Sequence, residues 1–107
     1  MKTLKPTARP EHPAVADPKA LGKFVRAART AAGLTIEQAA DLIGIHKDTL
    51  SNLENGKGTV GISIVFRVMN ELGLAMLVAQ KPEAEALVSI LISAKLSDPQ
   101  PPARGTP

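Results

Sequence analysis

Five polar residues between positions 47 and 55 have the spacing of one exposed helix face and side chains suited to recognising bases. They are Lys47, Asp48, Ser51, Asn52 and Asn55. In a major groove, lysine can donate to guanine O6 and N7, asparagine can bond adenine through two atoms, and aspartate can accept from cytosine N4. Each good pair contributes roughly 1 to 3 kcal/mol of discrimination between bases. This face predicts sequence-specific binding of double-stranded DNA through Lys47, Asp48, Ser51 and Asn52, with Thr49 at the groove edge or bracing the turn.

Other residues near this face are suited to binding phosphates, which would fix the position of the protein on the duplex. The candidates are the main chain near Thr35 and the side chains of His46, Asn55, Lys57, Arg26 and Arg29. An isolated surface lysine is usually only solvated, but the place of Lys47 and Lys57 within a complete motif favours a role in binding. For Arg26 and Arg29, simply solubilising their helix is an equally good explanation.

A polar face of this kind needs helices that hold it away from the interior, and the surrounding residues predict a helix pair. Thr35 and Gln38 have the spacing of a capping box, so a helix can begin at residue 36. Gly44 can adopt a positive φ and end that helix in a sharp turn. The residues expected to face inward are Ile36, Ala39, Ala40 and Ile43 in the first helix, Ile45 in the turn, and Leu50 and Leu53 in the second helix.

Helices are predicted on both sides of this pair as well. Asp17 and Pro18 form a strong helix start, and Gly33 ends the helix that follows, with Leu34 packing back. The apolar face of that helix contains Leu21, Phe24, Val25 and Ala28. After a loop at residues 55–58, apolar residues recur with helical spacing from 62 to 72, and Gly73 closes the segment.

Residues 74–80 form a short apolar run whose length favours a strand over a helix. A single strand leaves its backbone hydrogen-bonding groups unpaired, and the sequence contains no second convincing strand. Pairing with the same segment of a second copy is the simplest solution, so we predict a homodimer. The residues expected at this contact are Leu74, Met76, Leu77 and Val78.

A further helix is predicted at residues 82–96. Pro82 with Glu83 and Glu85 close behind is typical of a helix start, although the β-branched residues that follow would also suit a strand. This helix could cover the dimer strand, extend the dimer interface or bind a partner protein. Reinforcement of the dimer is slightly favoured over contact with a partner.

Length and composition indicate one small domain. The chain has 107 residues and is 44% apolar but contains only two aromatic residues, so Leu, Ile, Val and Ala must fill its core. Prolines near both ends predict disorder there. The expected organisation is a disordered arm at residues 1–16, a DNA-binding and dimerisation domain at 17–81, the extra helix at 82–96 and a disordered tail at 97–107.

The composition also argues against several classes of function. Without cysteine there is no disulfide framework and no thiolate metal site, and two histidines without clustered partners do not form a metal site. Since no nucleophile and base pair, phosphate loop or cofactor signature is present, we expect no enzyme activity and no cofactor. The sequence has no secretory signal and no membrane-spanning run, so we expect a cytoplasmic protein without a membrane partner.

Charge is distributed unevenly along the chain. The formal net charge is +3, and through Arg67 ten basic residues oppose six acidic ones, whereas beyond it three oppose four. The basic excess therefore lies with the helix pair, where contacts with phosphates would need it.

From about residue 21 to residue 80, the sequence resembles the phage Cro and repressor type of helix-turn-helix domain, the XRE family, and in particular the short antitoxins related to HipB. The matching segments are Gly33-Leu34-Thr35, Ala39-Ala40, Gly44-Ile45, Thr49 through Lys57, and Glu71-Leu72-Gly73-Leu74. The resemblance implies a mainly α, compact, lambda-repressor-like domain of four to five helices, with a short C-terminal strand that pairs across a homodimer. It further implies binding to operator DNA, repression of the chain's own operon and a HipA-like toxin kinase as partner.

The resemblance also bears on individual residues. Relatives use the residue at the position of Glu54 to brace the domain against a basic residue of the first helix such as Arg29, which implies a structural role for Glu54. Relatives often have a phosphate-contacting glutamine after the capping threonine, and Ile36 cannot make that contact. They commonly cap the recognition helix with Ser or Thr, whereas His46 is a poorer cap that could face a phosphate instead.

These observations leave three functions open. The leading hypothesis is a dimeric DNA-binding repressor that acts as a HipB-like antitoxin of a type II toxin-antitoxin pair. A stand-alone regulator of another operon would have nearly the same sequence features. A protein-interaction module that kept the fold but lost operator binding is favoured by Ile36 and Asp48. DNA binding follows from the predicted architecture, whereas toxin binding depends on the resemblance alone.

Overall fold

The computed structural model describes residues 5–97, with side chains through residue 94, and this range contains five α-helices and no strand. The helices are α1 (Pro18–Ala31), α2 (Ile36–Ile43), α3 (Lys47–Asn55), α4 (Ile62–Glu71) and α5 (Lys81–Ser97). They belong to two compact units, the first made of residues 5–10 and 15–77 and the second of residues 11–14 and 78–97. The predicted helical fold is confirmed.

The first helix, α1, begins and ends where the sequence predicts. The carboxylate of Asp17 accepts a hydrogen bond at 2.8 Å from the backbone N–H three residues on, and Pro18 is the first helical residue. At the other end, Gly33 has a φ of 77° and lets the chain reverse. The N–H of Leu34 then donates to the Arg29 carbonyl at 3.2 Å, and the Leu34 side chain packs against the core.

A sharp turn at Gly44 joins α2 to α3. At the start of α2 the capping box is complete, because Thr35 Oγ1 accepts from the Gln38 N–H at 3.1 Å and Gln38 Oε1 accepts from the Thr35 N–H at 2.9 Å. At its end, Gly44 has a φ of 86°, which a residue with a side chain adopts only at a cost. The N–H groups of Gly44 and Ile45 both donate to the Ala40 carbonyl. The turn therefore ends α2 and brings Ile45 against the core.

The core of the first unit is aliphatic, as the scarcity of aromatic residues predicts. Its buried members come from the first four helices and are Val25, Ala39, Ala40, Ile43, Leu50, Leu53, Val65, Val68 and Met69. At Gly22, α1 approaches α3 so closely that a Cβ atom would collide with the backbone carbonyls of Leu53 and Glu54. The glycine therefore sets the distance between α1 and the helix that carries the predicted recognition face.

The predicted helix at residues 62–72 is α4, and it buries only part of its apolar surface. Val68 is fully buried and Met69 is 4% exposed, whereas Ile62 and Phe66 are 64% and 46% exposed. Gly73, with a φ of 76°, ends the turn that follows. The helix therefore leaves large apolar side chains on the surface of the first unit.

Residues 74–80, predicted to form a dimer strand, have no regular secondary structure in the single chain. Leu74 is half-buried and packs against the core, while Met76, Leu77 and Val78 are exposed. The expected strand pairs between two copies, so its formation stays a prediction.

The second unit contains α5, which confirms that the segment around Pro82 is helical. The helix runs from Lys81 to Ser97, slightly beyond the predicted range of 82–96. Among its described side chains, the large apolar ones that are exposed are Leu87, Ile90, Leu91 and Ile92. None of the helices in the described range is long and apolar enough to cross a membrane.

The two predicted disordered ends lie partly outside the described residues, namely at residues 1–4 and 98–107. Within the described range, residues 5–16 contain neither helix nor strand. One contact nevertheless attaches this arm to α1, because the Thr7 N–H donates to the Thr30 hydroxyl oxygen at 2.8 Å. Residues 5–10 accordingly belong to the first compact unit, which differs from the freely mobile arm that the sequence predicts.

Candidate nucleic-acid interface

The third helix, α3, has one buried face and one face open to solvent. Leu50 is fully buried and Leu53 is 5% exposed, so these two side chains attach the helix to the core. On the opposite side, Lys47, Asp48 and Asn52 are all exposed. The structure thus brings these three predicted base-contacting residues together on one accessible, nine-residue helix.

Lys47 and Asn52 have side chains with unused hydrogen-bonding groups. Within residues 5–94, neither side chain is bonded to another protein group. The backbone of Asn52 is engaged, since its carbonyl accepts from the Lys57 N–H at 2.8 Å and so ties the following loop to α3. Unused donors and acceptors on a fixed helix are what the recognition of base edges requires.

His46 closes the N-terminal end of α3, where we expected a poor cap. Its Nδ1 atom accepts a hydrogen bond from the Asp48 N–H at 3.0 Å and lies 3.7 Å from Asp48 Oδ2. A neutral histidine that accepts at Nδ1 carries its proton on Nε2, which is then a donor. His46 therefore caps the helix and, being exposed, can also donate outward to a phosphate.

Thr49, Ser51 and Asn55 are less available than the other polar residues of α3. Thr49 and Ser51 are half-buried. The Asn55 side-chain nitrogen donates to the Ser51 carbonyl at 2.9 Å and lies 3.4 Å from the Ser51 hydroxyl oxygen. Both are hydrogen bonds from the one amide nitrogen, so a phosphate oxygen would have to replace the longer of them to accept from Asn55.

The start of α2 offers backbone donors for a phosphate. The capping box occupies the N–H groups of Thr35 and Gln38. The N–H groups of the first two helical residues, Ile36 and Glu37, have no partner within the described part of the chain, as is usual at a helix start. Such groups, together with the positive end of the helix dipole, attract phosphate. A contact near Thr35 would therefore use the main chain that follows it.

Lys57 lies in the loop after α3 and is exposed, with no side-chain partner among the described residues. The flanking glycines Gly56 and Gly58 both have positive φ, at 66° and 67°. The two glycines let the chain turn at the end of α3 and leave Lys57 on the surface.

Arg29 is unavailable to phosphates, so that predicted role is wrong. Its side chain is 7% exposed, and its Nε and Nη2 atoms donate to the Glu54 carboxylate at 2.6 and 3.0 Å. Its Nη1 atom donates to the Leu34 carbonyl at 2.8 Å. All three guanidinium nitrogens therefore donate to protein groups, and the side chain is buried. The pair instead joins α1 to the last turn of α3, which is the structural role that the family resemblance implied for Glu54.

Arg26, the other arginine assigned to phosphates, is exposed on the outer face of α1. Lys19 and Lys23 are exposed on that same face, although no sequence motif indicates a role for them. Arg67 was also missed: from α4, its Nη1 donates to the Gly44 carbonyl at 3.4 Å, across 23 residues of sequence. A cation is favourable at this C-terminal end of α2. The sequence signal for Arg67 is that it is the one basic residue of an otherwise largely apolar helix.

Residues 25–77, which include all of α2, α3 and α4, match the family model HTH_3, described as helix-turn-helix. The chain is also similar to the solved structure described as MDT Protein, and to chains in a HipA-HipB-O2-O3 complex and a HipB-O4 20mer complex. In each case the identity is 27%, the match covers 63% of this chain and 94% of the other, and the TM-score is 0.56. A comparison with curated proteins finds no significant match.

Proposed function

Residues 25–77 form a domain of the helix-turn-helix family, and from this premise we propose that the protein is a sequence-specific DNA-binding repressor of its own operon. In the proposed complex α3 lies in the major groove, where Lys47, Asp48 and Asn52 contact base edges. Ser51 and Thr49 lie at the groove edge. The phosphate contacts are the main chain after Thr35 and the side chains of His46, Asn55, Lys57 and Arg26.

The observation that carries this proposal is the exposed polar face of α3 on a helix that is fixed from several sides. Leu50 and Leu53 attach α3 to the core, and the Arg29 and Glu54 pair attaches its last turn to α1. A rigid support lowers the entropy lost when side chains are ordered on binding. The family match and the similarity to a chain in a HipB-O4 20mer complex both support DNA as the ligand.

The base contacts can be tested by gel shift on the DNA upstream of the gene. Lys47→Ala and Asn52→Ala should each weaken binding about 5- to 150-fold, because a good base contact contributes roughly 1 to 3 kcal/mol. Matched controls are Lys81→Ala and Asn70→Ala, which remove an exposed lysine and an exposed asparagine from outside the proposed interface. A double variant that binds as tightly as the wild type would refute the assignment of α3 to the groove.

We further propose that the protein is a HipB-like antitoxin that binds a HipA-like kinase toxin and acts in the bacterial cytoplasm, at the nucleoid when bound to DNA. The support is the similarity, at 27% identity, to a chain in a HipA-HipB-O2-O3 complex. Co-expression with a kinase-like protein encoded beside this gene tests the proposal. Elution of the two proteins as one complex supports it, and separate elution contradicts it in favour of a stand-alone regulator.

The proposed repressor is a homodimer in which residues 74–78 of two copies pair as strands. Leu77 and Val78 are 83% and 91% exposed in the single chain, so pairing would cover apolar side chains as well as backbone groups. Analytical ultracentrifugation should show a dimer that Leu77→Asp converts to a monomer. Leu42→Asp, which alters an apolar side chain that is 59% exposed on α2, is the matched control. A dimer that survives Leu77→Asp would contradict strand pairing.

A further inference from the structure

A row of three exposed cations runs along α1, outside the residues assigned to base recognition. Lys19, Lys23 and Arg26 follow one another at spacings of four and three residues, which places them on one face of the helix. At 1.5 Å per residue, the row is about 10 Å long. We call these three residues the α1 basic row.

The α1 basic row lines a cavity of about 390 Å³ between the N-terminal arm and the last turn of α3. Thr7, Ala8 and Pro10 of the arm form one wall, and Glu54 and Asn55 of α3 form another. The bond from the Thr7 N–H to the Thr30 hydroxyl oxygen attaches the arm to α1. The cavity is therefore built by parts of the first compact unit alone.

The positive charge of this cavity is not compensated within the described part of the chain. None of the three cations forms an ion pair among residues 5–94. The one carboxylate in the lining belongs to Glu54, and both of its oxygens already accept hydrogen bonds from Arg29. The Asp17 carboxylate accepts a backbone hydrogen bond at the start of α1 and forms no ion pair with any of the three cations. The α1 basic row therefore presents charges that an external anion can neutralise.

The row is continuous with the recognition helix. Asn55 belongs both to the cavity lining and to the polar face of α3. At Gly56, which follows α3 directly, a Cβ atom would lie 2.7 Å from the Lys19 Cα atom, so the end of α3 rests on the backbone at the start of the row. A DNA strand that follows the surface past the last turn of α3 would reach Lys19 first and then the rest of the row.

We propose that Lys19 and Lys23 join Arg26, already assigned to phosphates, in binding the DNA backbone beyond the bases that α3 contacts, which extends the interface along α1 outside the helix-turn-helix motif. This inference rests on the proposed function, because it takes DNA as the ligand. With one phosphate neutralised by each cation, the row engages about three phosphates. Contacts of this kind carry no base preference and strengthen binding to any sequence.

Salt dependence measures these contacts directly. Each neutralised phosphate contributes about 0.9 to the slope of log K against log salt concentration. The triple variant Lys19→Ala/Lys23→Ala/Arg26→Ala should therefore lower the magnitude of that slope by about 2 to 3, while the ratio of operator to random-sequence affinity stays unchanged. Lys19→Arg/Lys23→Arg/Arg26→Lys keeps the charge at the same positions and should keep the wild-type slope. Circular dichroism of both variants verifies that they remain helical.

DNA length gives a second readout, in which continued binding of the triple variant to the trimmed operator shows that the variant is folded. The wild type should bind a duplex extended beyond the operator more tightly than a duplex trimmed to it, and the triple variant should lose this difference. An unchanged slope together with an unchanged length effect overturns the inference. If the wild type shows no preference for its upstream DNA, the proposed repressor function fails. The salt slopes of the wild type and the triple variant on a random duplex then still test whether the α1 basic row binds the DNA backbone.

Discussion

Removing one partner of the buried pair between Arg29 and Glu54 is expected to destabilise the domain strongly. Arg29→Met keeps much of the apolar length of the side chain but deletes the two hydrogen bonds to the carboxylate and the one to the Leu34 carbonyl. The Glu54 side chain is 4% exposed, so its charge would be left buried without its cationic partner.

The size of the effect follows from the burial of the pair. Breaking a buried ion pair by removing one partner costs about 3 to 5 kcal/mol, a large share of the roughly 5 to 15 kcal/mol that stabilises a small domain. Because each kcal/mol lowers the melting temperature of a domain of this size by about 4 to 8 °C, the midpoint should fall by at least about 12 °C. The double variant Arg29→Met/Glu54→Leu removes both charges and should recover most of that loss, since an apolar pair often replaces an ion pair without cost.

Urea unfolding followed by far-ultraviolet circular dichroism gives the free energy of unfolding for the wild type, Arg29→Met, Glu54→Leu and the double variant. The expected pattern is a large loss for each single variant and near recovery in the double variant, with a coupling energy of several kcal/mol. Losses below about 1 kcal/mol for both single variants, the size measured for exposed pairs, would contradict a strongly stabilising buried pair. In that case the pair would be solvated, and it could not be what fixes the last turn of α3 against α1.

Three substitutions test the local geometry by urea unfolding. Gly22→Ala should lower the free energy of unfolding by about 1 to 3 kcal/mol because the new Cβ would meet the Glu54 carbonyl. Alanine ordinarily stabilises a helix interior by about 0.5 to 1 kcal/mol relative to glycine, so a gain in stability would contradict the close approach of α1 to α3. Gly44→Ala should cost about 1 to 2 kcal/mol through its positive φ, and an unchanged stability would show that the turn differs from the one described. Thr35→Ala should lower the free energy of unfolding by about 0.5 to 2 kcal/mol, whereas Thr35→Ser, which keeps the hydroxyl, should change it little. Equal losses for the two variants would argue against a capping hydroxyl.

Features that act within a few residues could be predicted from the sequence. The Asp17 cap, the capping box of Thr35 and Gln38, and the left-handed turn at Gly44 each depend on groups no more than four positions apart. Helical spacing of apolar residues likewise located the faces of α2 and α3 that are buried, with Leu50 and Leu53 inside and the polar row outside. These local rules account for most of the helix boundaries and for the orientation of the candidate site.

Features that depend on distant residues could not be predicted from local patterns. Arg29 was assigned to phosphates from its charge, because nothing near it in sequence shows that a partner 25 residues away will bury it. The attachment of Thr7 to Thr30 spans 23 residues, so the arm was predicted to be free. In α4, Phe66 matches the apolar periodicity yet is 46% exposed, since periodicity does not tell how wide a face the neighbouring helices cover.

The most direct test of the central claim is hydroxyl-radical footprinting of the DNA upstream of the gene with the wild type and with Lys47→Ala/Asn52→Ala. We expect two protected half-sites on one face of the duplex, about 34 Å apart, as a symmetric pair of recognition helices requires. The double variant should lose this protection at the protein concentration that saturates the wild type. Identical footprints for the two proteins, or uniform protection without half-sites, would contradict the claim that α3 recognises DNA sequence.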